Sequence, residues 1–191
     1  MTGAKEVVYF ATGNRWKYAE AARVAREYGI RLKQIRYDKL EIQSNSLEEI
    51  AAYAAQDAAN VTGKPVVAED AGLFVRSLDG FPGPYSSYVH KTIGYEGILT
   101  LMNRTKQRNA YFQAVVAFCE PGKSPNSFSG EVKGRLSLKA KGKHGFGFDP
   151  IFIPKHRNSR TFAELTIEEK NLFSHRAKAF SSFFKWFVER P

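Results

Sequence analysis

The chain has 191 residues, of which 43% are hydrophobic and 25% are charged, with 29 Lys and Arg against 19 Asp and Glu. This length and balance exclude disordered and fibrous proteins, and they predict a single domain over residues 1–191 with at most two lobes. The net charge of +10 favours anionic partners, which include nucleotides, nucleic acids and acidic membranes. Apolar runs stay far below the ~20 residues of a membrane-spanning helix. The single cysteine, Cys119, excludes an intrachain disulfide and favours a cytoplasmic location.

The first part of the chain alternates between strand and helix patterns. Apolar runs predict strands at residues 6–11, 32–37 and 65–69. Helical stripes with capping signals predict helices between them, at residues 18–28 and 46–61. Because strands and helices alternate, an α/β architecture with a partly parallel sheet is expected.

The second part of the chain has one strong strand and one strong helix. Two Gly and two Pro at residues 79–84 predict a loop, and a short helix is expected at 95–102. Residues 109–119 are apolar on both faces and predict a buried strand, with one or two further strands at 126–138. The last helix is predicted by an apolar stripe of Phe173, Ala177, Phe180, Phe184 and Phe187.

The first candidate site is the turn between the first strand and the first helix, Thr12-Gly13-Asn14-Arg15-Trp16-Lys17. Gly13 allows a tight turn and a close ligand approach, and the helix N-terminus with Lys17 suits a phosphate. The alternative is an ordinary turn in which Asn14 caps the helix. Taken alone, the segment favours the ordinary cap, since the glycine spacing of a P-loop is absent.

Carboxylates mark a second candidate site. Glu69 and Asp70 sit at the end of an apolar strand, where α/β sheets bind ligands, and neighbours on a strand point to opposite faces. One of them could hold Mg²⁺ or accept a proton from water, whereas a solvated turn is the alternative. Glu41 is expected at the surface unless it lies near Asp70, in which case the two could share a metal.

The third candidate site combines an aromatic loop with a polar helix start. In Gly145-Phe146-Gly147-Phe148-Asp149-Pro150, Phe146 is the better candidate for stacking on a base, and Phe148 is expected in the core. Lys170, His175 and Arg176 lie within seven residues near the last helix. His175 is expected to face away from the apolar stripe, and a solvent-facing cluster is the alternative.

Taken in order, these segments resemble the inosine triphosphate pyrophosphatase family. The motifs that carry the resemblance span about residues 6–188, and they are Thr12-Gly13-Asn14-x-x-Lys17, Glu69-Asp70-x-Gly72-Leu73, Gly80-Phe81-Pro82-Gly83-x-Tyr85-Ser86, Gly145-x-Gly147-Phe148-Asp149-Pro150-x-Phe152, Thr161-Phe162-Ala163-Glu164-Leu165 and Glu169-Lys170-Asn171-x-x-Ser174-His175-Arg176. Six motifs in the same order are far more specific than any one of them.

The resemblance implies both a fold and a reaction. The fold would be α/β, an elongated mixed β-sheet with flanking helices that form two lobes around a central nucleotide cleft, usually as a homodimer. The reaction would be the Mg²⁺-dependent hydrolysis of the non-standard purine nucleoside triphosphates ITP, dITP and XTP to the monophosphate and pyrophosphate, by attack of water on the α-phosphorus. The partner would then be a purine nucleoside triphosphate rather than a nucleic acid or a membrane.

The resemblance also assigns residues. Asp70 corresponds to the general base and metal ligand, and Glu41 to the second metal-linked carboxylate. The phosphate motif falls on Thr12, Gly13, Asn14 and Lys17. The base motif falls on Phe146, Gly147, Phe148, Asp149, Lys170, His175 and Arg176, with Arg176 and its neighbours donating to the 6-oxo group that adenine lacks.

This sequence departs from the pattern of many relatives at three positions. Ala71 stands where many relatives have Ser or Thr, so any contact there would use the backbone. Ala54 and Ser87 stand where many relatives have Lys, and Arg15 or Lys91 could supply the missing charge. Two other functions stay open from the residues alone. They are a basic nucleic-acid-binding module and a triphosphatase that releases inorganic phosphate.

Overall fold

The computed structural model describes residues 7–37, 42–155 and 159–190. Seven strands lie within this part of the chain, and they are β1 (Val7–Ala11), β2 (Arg31–Ile35), β3 (Val66–Val75), β4 (Pro82–Gly83), β5 (Asn109–Cys119), β6 (Asn126–Leu136) and β7 (Phe152–Pro154). The α-helices described are α1 (Arg15–Glu27), α2 (Leu47–Thr62), α3 (Ser86–Thr92), α4 (Gly94–Leu101), α5 (Ile167–Asn171) and α6 (His175–Glu189). One-turn 3₁₀ helices occupy Arg76–Leu78, Asp149–Ile151 and Phe162–Glu164.

The strands form one mixed sheet. Its order is β2-β1-β3-β5-β6-β7, and β4 pairs with β3 outside this path. Strand β1 is parallel to β2 and to β3, with Val8 opposite Leu32 and Tyr9 opposite Val66. The pairs of β3 with β4 and of β6 with β7 are antiparallel. The predicted α/β class with a partly parallel sheet is therefore confirmed.

The chain divides into two compact units. The first comprises residues 1–70, 114–130 and 176–191, and the second comprises residues 71–113 and 131–175. Strands β3, β5 and β6 contribute residues to both units, and the division also falls between His175 and Arg176.

The first unit is built on the predicted β-α-β-α-β segment and on α6. Ser46 caps α2 by accepting the backbone N–H of Glu49, and Gly63 ends that helix in the left-handed conformation. The apolar stripe of α6 buries Phe180, Phe184 and Phe187 as expected, and Phe183 is buried with them. The ring of Phe180 packs edge-on against Phe10 of β1, with 5.2 Å between the centroids. This packing fixes α6 against the sheet of the first unit.

The second unit has a core of its own. Within the described part of the chain, fourteen buried apolar residues form it, and they include Leu73, Phe112, Phe148, Phe152 and Phe162. Arg108 links separate segments of this unit, since its guanidinium donates to the carbonyls of Met102, Leu136 and Ser137. Phe148 lies in the core, as the sequence predicts.

Several elements differ from the sequence-based expectations. Strand β3 continues to Val75, so Glu69 and Asp70 lie within a strand and not at its end. The loop at 79–84 contains the short strand β4, and α3 was not expected. The last helical region is split into α5 and α6. His175, expected to face away from the apolar stripe of the last helix with a solvent-facing position as the alternative, is almost fully buried and stacks on Phe112 in the second unit.

Within the described ranges, no helix combines the length and the apolar character that crossing a membrane requires.

Candidate functional site

The turn between β1 and α1 is held by its own polar side chains. Asn14 caps α1, since its Oδ1 accepts the backbone N–H groups of Trp16 and Lys17 at 2.9 and 3.2 Å. Thr12 accepts the N–H of Asn14 through its Oγ1 at 3.1 Å. Gly13 is exposed, and a Cβ built on it would meet no atom within 4 Å. The Asn cap is present, and the exposed face of Gly13 is open to a ligand.

Lys17 connects this turn to the acidic segment of β3. Its Nζ lies 2.8 Å from Oε2 of Glu69 and 3.4 Å from the backbone carbonyl oxygen of the same residue. Lys17 is half-buried, whereas the side chain of Glu69 is completely inaccessible to solvent. The β1–α1 turn and the residue before Asp70 are thus in direct contact within the first unit.

A second cation reaches Glu69 from α6. The Nε and Nη2 atoms of Arg176 each lie 3.0 Å from Oε1 of Glu69. Its Nη1 donates to Oε2 of Glu20 on α1 at 2.6 Å. Glu20 and Arg176 are almost fully buried, so this is an internal ionic cluster and not a surface ion pair. We call Lys17, Glu20, Glu69 and Arg176 the ionic cluster of the first unit.

The ionic cluster favours the charged forms of Glu69 and Arg176. Burial of the Glu69 carboxyl would raise its pKa, but the positive charges of Arg176 and Lys17 outweigh burial and hold the pKa below its usual range. Burial would lower the pKa of Arg176, and the charges of Glu69 and Glu20 raise it instead. Glu69 is therefore a carboxylate engaged by two cations, which makes it a poor candidate for a proton acceptor.

Asp70 is the adjacent residue on β3. It is half-buried, and its Oδ2 is buried. Because successive side chains of a strand point to opposite faces, Asp70 points away from the face on which Glu69 meets α1 and α6. Ala71 follows as another half-buried residue. Of the two adjacent carboxylates, Glu69 is the one that Lys17 and Arg176 hold.

The second unit gathers the aromatic loop and Lys170. The Nζ of Lys170 lies 2.7 Å from Oδ2 of Asp149, and both side chains are almost fully buried. The same Oδ2 accepts the backbone N–H of Phe146 at 3.0 Å. The ammonium of Lys170 also lies 5.4 Å from the centre of the Phe146 ring, which is half-buried. An aromatic ring, a carboxylate and an ammonium group are thus held together.

Other predicted base-side residues have different surroundings. His175 stacks on Phe112, with 4.7 Å between the ring centroids, and Phe148 belongs to the core. Gly147 adopts a positive φ of 64°, which suits glycine at this turn. Arg176 lies in the first unit with Glu20 and Glu69, whereas Lys170 and Asp149 lie in the second unit.

Some expected and unexpected residues complete the description. Glu41 lies outside the described residues, and among those described no group of three or more His, Cys, Asp or Glu is placed to hold a metal ion.

Sequence reasoning missed Glu20. Its signal is the spacing of three from Lys17, which places both residues on one face of α1 next to the buried Ala21.

Comparison with known proteins identifies the family of this chain. The profile of the Ham1 family matches residues 8–186. The chain belongs to the Ham1 family. This match includes the β1–α1 turn, the acidic segment of β3, the aromatic loop and the start of α6.

Relatives of this Ham1 protein are similar over nearly their whole length. A dITP/XTP pyrophosphatase of Methanopyrus kandleri is 52% identical over 94% of this chain and 95% of its own. A dITP/XTP pyrophosphatase of Pyrococcus horikoshii is 46% identical over 94% of this chain and 95% of its own. The resemblance found in the sequence is confirmed by these relatives.

Solved structures of Ham1 proteins agree with the fold. A HAM1 protein from Coxiella burnetii superimposes with a TM-score of 0.84 at 30% identity, covering 96% of this chain and 99% of the other. The Staphylococcus aureus Ham1 protein gives a TM-score of 0.82 at 27% identity, covering 97% of this chain and all of the other. The mixed seven-strand sheet with its helices, counted over the described residues, is thus a Ham1-like fold.

Proposed function

We propose that this protein hydrolyses the non-standard purine nucleoside triphosphates dITP, XTP and ITP to the monophosphate and pyrophosphate. The observation that carries the proposal is the 52% identity, over 94% of the chain, to a dITP/XTP pyrophosphatase. The grouping of cationic, acidic and aromatic side chains in the two units supports it. The reaction would remove these nucleotides from the pool available for nucleic-acid synthesis.

In this proposal the β1–α1 turn binds the triphosphate. Gly13 gives an open approach, Lys17 supplies a positive charge, and Arg15 on the exposed first turn of α1 supplies a second. Asn14 already accepts two N–H groups at the start of α1, so the side chains and Gly13 carry more of the phosphate binding than the helix N–H groups do. Thr12 holds the turn, and the backbone of Ala71 lies beside Asp70.

Asp70 is the proposed catalytic residue. Its carboxylate accepts a proton from a water molecule as the water oxygen attacks the α-phosphorus. The bond from the α-phosphorus to the oxygen that bridges the α- and β-phosphates then breaks, and pyrophosphate leaves with that oxygen. Glu69 cannot take this role in the same geometry, because Lys17 and Arg176 engage it.

Magnesium fits the donor set. Mg²⁺ in nucleotide enzymes is held by one or two carboxylates together with substrate phosphates. Asp70 is a half-buried carboxylate that directly follows Glu69, which Lys17 of the proposed phosphate turn contacts, so it suits this mode, and the resemblance adds Glu41. When bound, the ion would supply positive charge to the phosphates.

The second unit is the proposed base site. The ring of Phe146 stacks on the purine, and the Lys170 ammonium donates to the 6-oxo group of hypoxanthine or xanthine. Adenine carries an amino group there, so two donors would face each other and a buried group would lose its partner. Gly147 and Phe148 shape the loop, and His175 stacks on Phe112, which belongs to the same core as Phe148.

The assembly and the location follow only from the resemblance and from the single cysteine. We propose a homodimer in the cytoplasm, with the nucleotide held in the cleft that the family likeness implies.

A product assay tests the function. Purified protein is incubated with dITP, XTP, ITP and ATP with Mg²⁺, and pyrophosphate and inorganic phosphate are measured separately. We expect pyrophosphate from the first three substrates, with kcat/KM at least about 100-fold lower for ATP. Release of inorganic phosphate would favour the triphosphatase alternative. Chelation of the metal should abolish turnover, and added Mg²⁺ should restore it.

One observation favours a second candidate, nucleic-acid binding. Lys139, Lys141 and Lys143 are exposed on one loop, and no ion pair joins them to an acid within the described residues. Two backbone bonds to Ala163 anchor this loop, from Lys143 and His144. A nucleic-acid binder would show a steep loss of affinity for an oligonucleotide with rising salt, whereas the pyrophosphatase needs only weak affinity.

A further inference from the structure

Two exposed side chains are stacked at the first turn of α1, just after the open turn at Gly13. The guanidinium carbon of Arg15 lies 4.8 Å from the centre of the Trp16 ring. Trp16 remains 41% exposed, and Arg15 is exposed as well. Asn14 fixes the backbone beneath them, because its Oδ1 accepts the N–H groups of Trp16 and Lys17. Side chains, and not these backbone N–H groups, are therefore what this turn offers to a ligand.

A guanidinium that stacks through its face keeps its donors available. The N–H groups of arginine lie in the guanidinium plane, and they can meet two oxygens of one phosphate at once. The indole face attracts the cation and thereby restricts the rotamers of the long Arg15 side chain. Since a side chain that is already ordered loses less entropy on binding, the Trp16 ring prepares Arg15 for an anion.

The charge of Arg15 is not offset by a carboxylate. Within the described part of the chain, no acidic side chain forms an ion pair with Arg15. Lys17, two residues later, lies 2.8 Å from Glu69 and shares its charge with that carboxylate. A Cβ built on Gly13 would meet no atom within 4 Å, so the turn before Arg15 has space for an anion.

The order of the two cations indicates which phosphate Arg15 meets. In the proposed reaction Asp70 activates the water that attacks the α-phosphorus, and Lys17 contacts the residue before Asp70. Arg15 is exposed, and among the described residues its side chain forms no hydrogen bond or ion pair to β3. A phosphate chain that starts at Asp70 and passes Lys17 would therefore end at Arg15.

We propose that Arg15, oriented by the Trp16 ring, binds the terminal phosphate and makes the protein select nucleoside triphosphates over diphosphates. The inference rests on the proposed function. Arg15 is a substrate-binding residue, and Trp16 is a positioning residue that acts through it. A nucleoside diphosphate would leave the guanidinium without its partner, so the diphosphate lacks binding free energy that the triphosphate gains.

The test uses variants at these exposed positions, which should keep the wild-type melting temperature. Arg15→Gln removes the charge, and Trp16→Leu removes the aromatic face. Trp16→Tyr keeps an aromatic face and should restore what the leucine variant loses. Arg26→Gln is the matched control, because Arg26 is an exposed arginine in the last turn of the same helix.

The first measurement is kcat/KM for dITP and for dIDP. If dIDP is not hydrolysed, its inhibition constant against dITP is used instead. We expect Arg15→Gln to lower kcat/KM about tenfold or more for dITP and at most about threefold for dIDP, as for a lost charge-assisted hydrogen bond. Trp16→Leu should lower the dITP/dIDP ratio about two- to fivefold, since only the stacking is lost. Trp16→Tyr and Arg26→Gln should keep the wild-type ratio.

The second measurement does not need turnover. The chain has two tryptophans, so Trp186→Phe leaves Trp16 as the only one. Inorganic triphosphate is titrated into this variant while the emission of Trp16 is recorded. We expect a saturable change of the emission. Adding Arg15→Gln should raise the Kd for triphosphate about tenfold or more, whereas adding Arg26→Gln should leave it unchanged.

Other outcomes overturn the inference. Equal losses for dITP and dIDP would make Arg15 a general attractor of anions and not a ligand of the terminal phosphate. A lower kcat at constant KM would place Arg15 at the reacting phosphate. An unchanged dITP/dIDP ratio in Trp16→Leu would leave the ring without a positioning role. The wild-type protein is assayed first, and absence of pyrophosphate release there would refute the proposed function itself, separately from any variant.

Discussion

The ammonium of Lys170 lies 2.7 Å from Oδ2 of Asp149, and solvent reaches only 3% and 4% of the two side chains. Their sequence separation of 21 residues is bridged by the chain that forms β7 and α5. The pair is buried beneath the ring of Phe146, so its geometry is set by the core of the second unit and not by solvent.

Asp149→Asn removes the charge that balances the Lys170 ammonium. Breaking one partner of a buried ion pair costs about 3–5 kcal/mol, and we expect a loss of this order in the free energy of unfolding. Urea denaturation measures it. Glu169→Gln is the control, because its ion pair with Arg160 is largely exposed and should contribute less than about 1 kcal/mol. Equal losses of the free energy of unfolding in the two variants would show that the buried pair contributes no more to stability than the exposed pair.

Much of the fold follows from local patterns. The β5 strand at Asn109–Cys119 is apolar on both faces, and its bounds agree with the sequence-based prediction. The helix α2 begins after the Ser46 cap and ends at Gly63, both of which are local signals. Strand β3 was predicted too short because Glu69, Asp70 and Gly72 interrupt its apolar pattern, although the sheet continues through them.

The candidate site was harder to read, because ion pairs join residues that are distant in sequence. Arg176 is separated from Glu20 by 156 residues, and no local pattern connects them. His175 was expected to face away from the apolar stripe of α6. Ala177, Phe180, Phe184 and Phe187 of that stripe belong to the first unit, whereas Phe173 precedes α6 and lies in the second unit. His175 also lies in the second unit and packs on Phe112, so a helical wheel could not place it.

Asp70→Asn tests the proposed general base. Asparagine is nearly the same size, so the fold should be retained, while an amide cannot accept the proton of the attacking water. We expect kcat for dITP to fall at least 100-fold, in line with about 10²–10⁴ for general-base catalysis. Asp79→Asn is the control, since Asp79 is exposed with a φ of 50°, a conformation that asparagine tolerates. Activity near that of the wild type in Asp70→Asn would exclude the assigned role.

The lowered pKa of Glu69 predicts how acid acts on stability. A carboxyl whose pKa is lower in the folded state stabilises the protein above its ordinary pKa of about 4.5 in the unfolded chain, and this contribution is lost as the pH falls toward the folded-state pKa. The melting temperature of Glu69→Gln should therefore differ most from that of the wild type near pH 7. The difference should shrink toward pH 3. Glu48→Gln, at an exposed position of α2, should show little difference at either pH.

The Cys119 thiol should react slowly with thiol reagents in the folded protein. It is fully buried at the end of β5, and its Sγ lies 3.2 Å from the carbonyl oxygen of Lys123. Burial and the nearby Glu120 raise the pKa of the thiol, so less of the reactive thiolate is present at neutral pH. A thiol reagent at pH 8 should react at least tenfold faster with urea-unfolded protein than with native protein. Similar rates would show that the end of β5 opens readily.

Phe146 and Phe148 lie two residues apart in the same loop, and we expect opposite consequences from their removal. Phe146 is half-buried beside Lys170, so Phe146→Ala should raise KM for dITP and ITP alike by about tenfold or more, as expected for a stacking contact of about 1–3 kcal/mol. The free energy of unfolding of Phe146→Ala should change much less than that of Phe148→Ala. Phe148 is buried in the core, so Phe148→Ala should lower the free energy of unfolding by about 3–5 kcal/mol.

Kinetics on the four triphosphates and urea denaturation of both variants separate these roles. Tyr88→Ala, at an exposed aromatic position of α3, controls for the loss of a surface ring. If Phe146→Ala changed the ITP/ATP ratio without raising KM, the ring would act in selecting the base rather than in binding it, since stacking is blind to the groups at the purine edge.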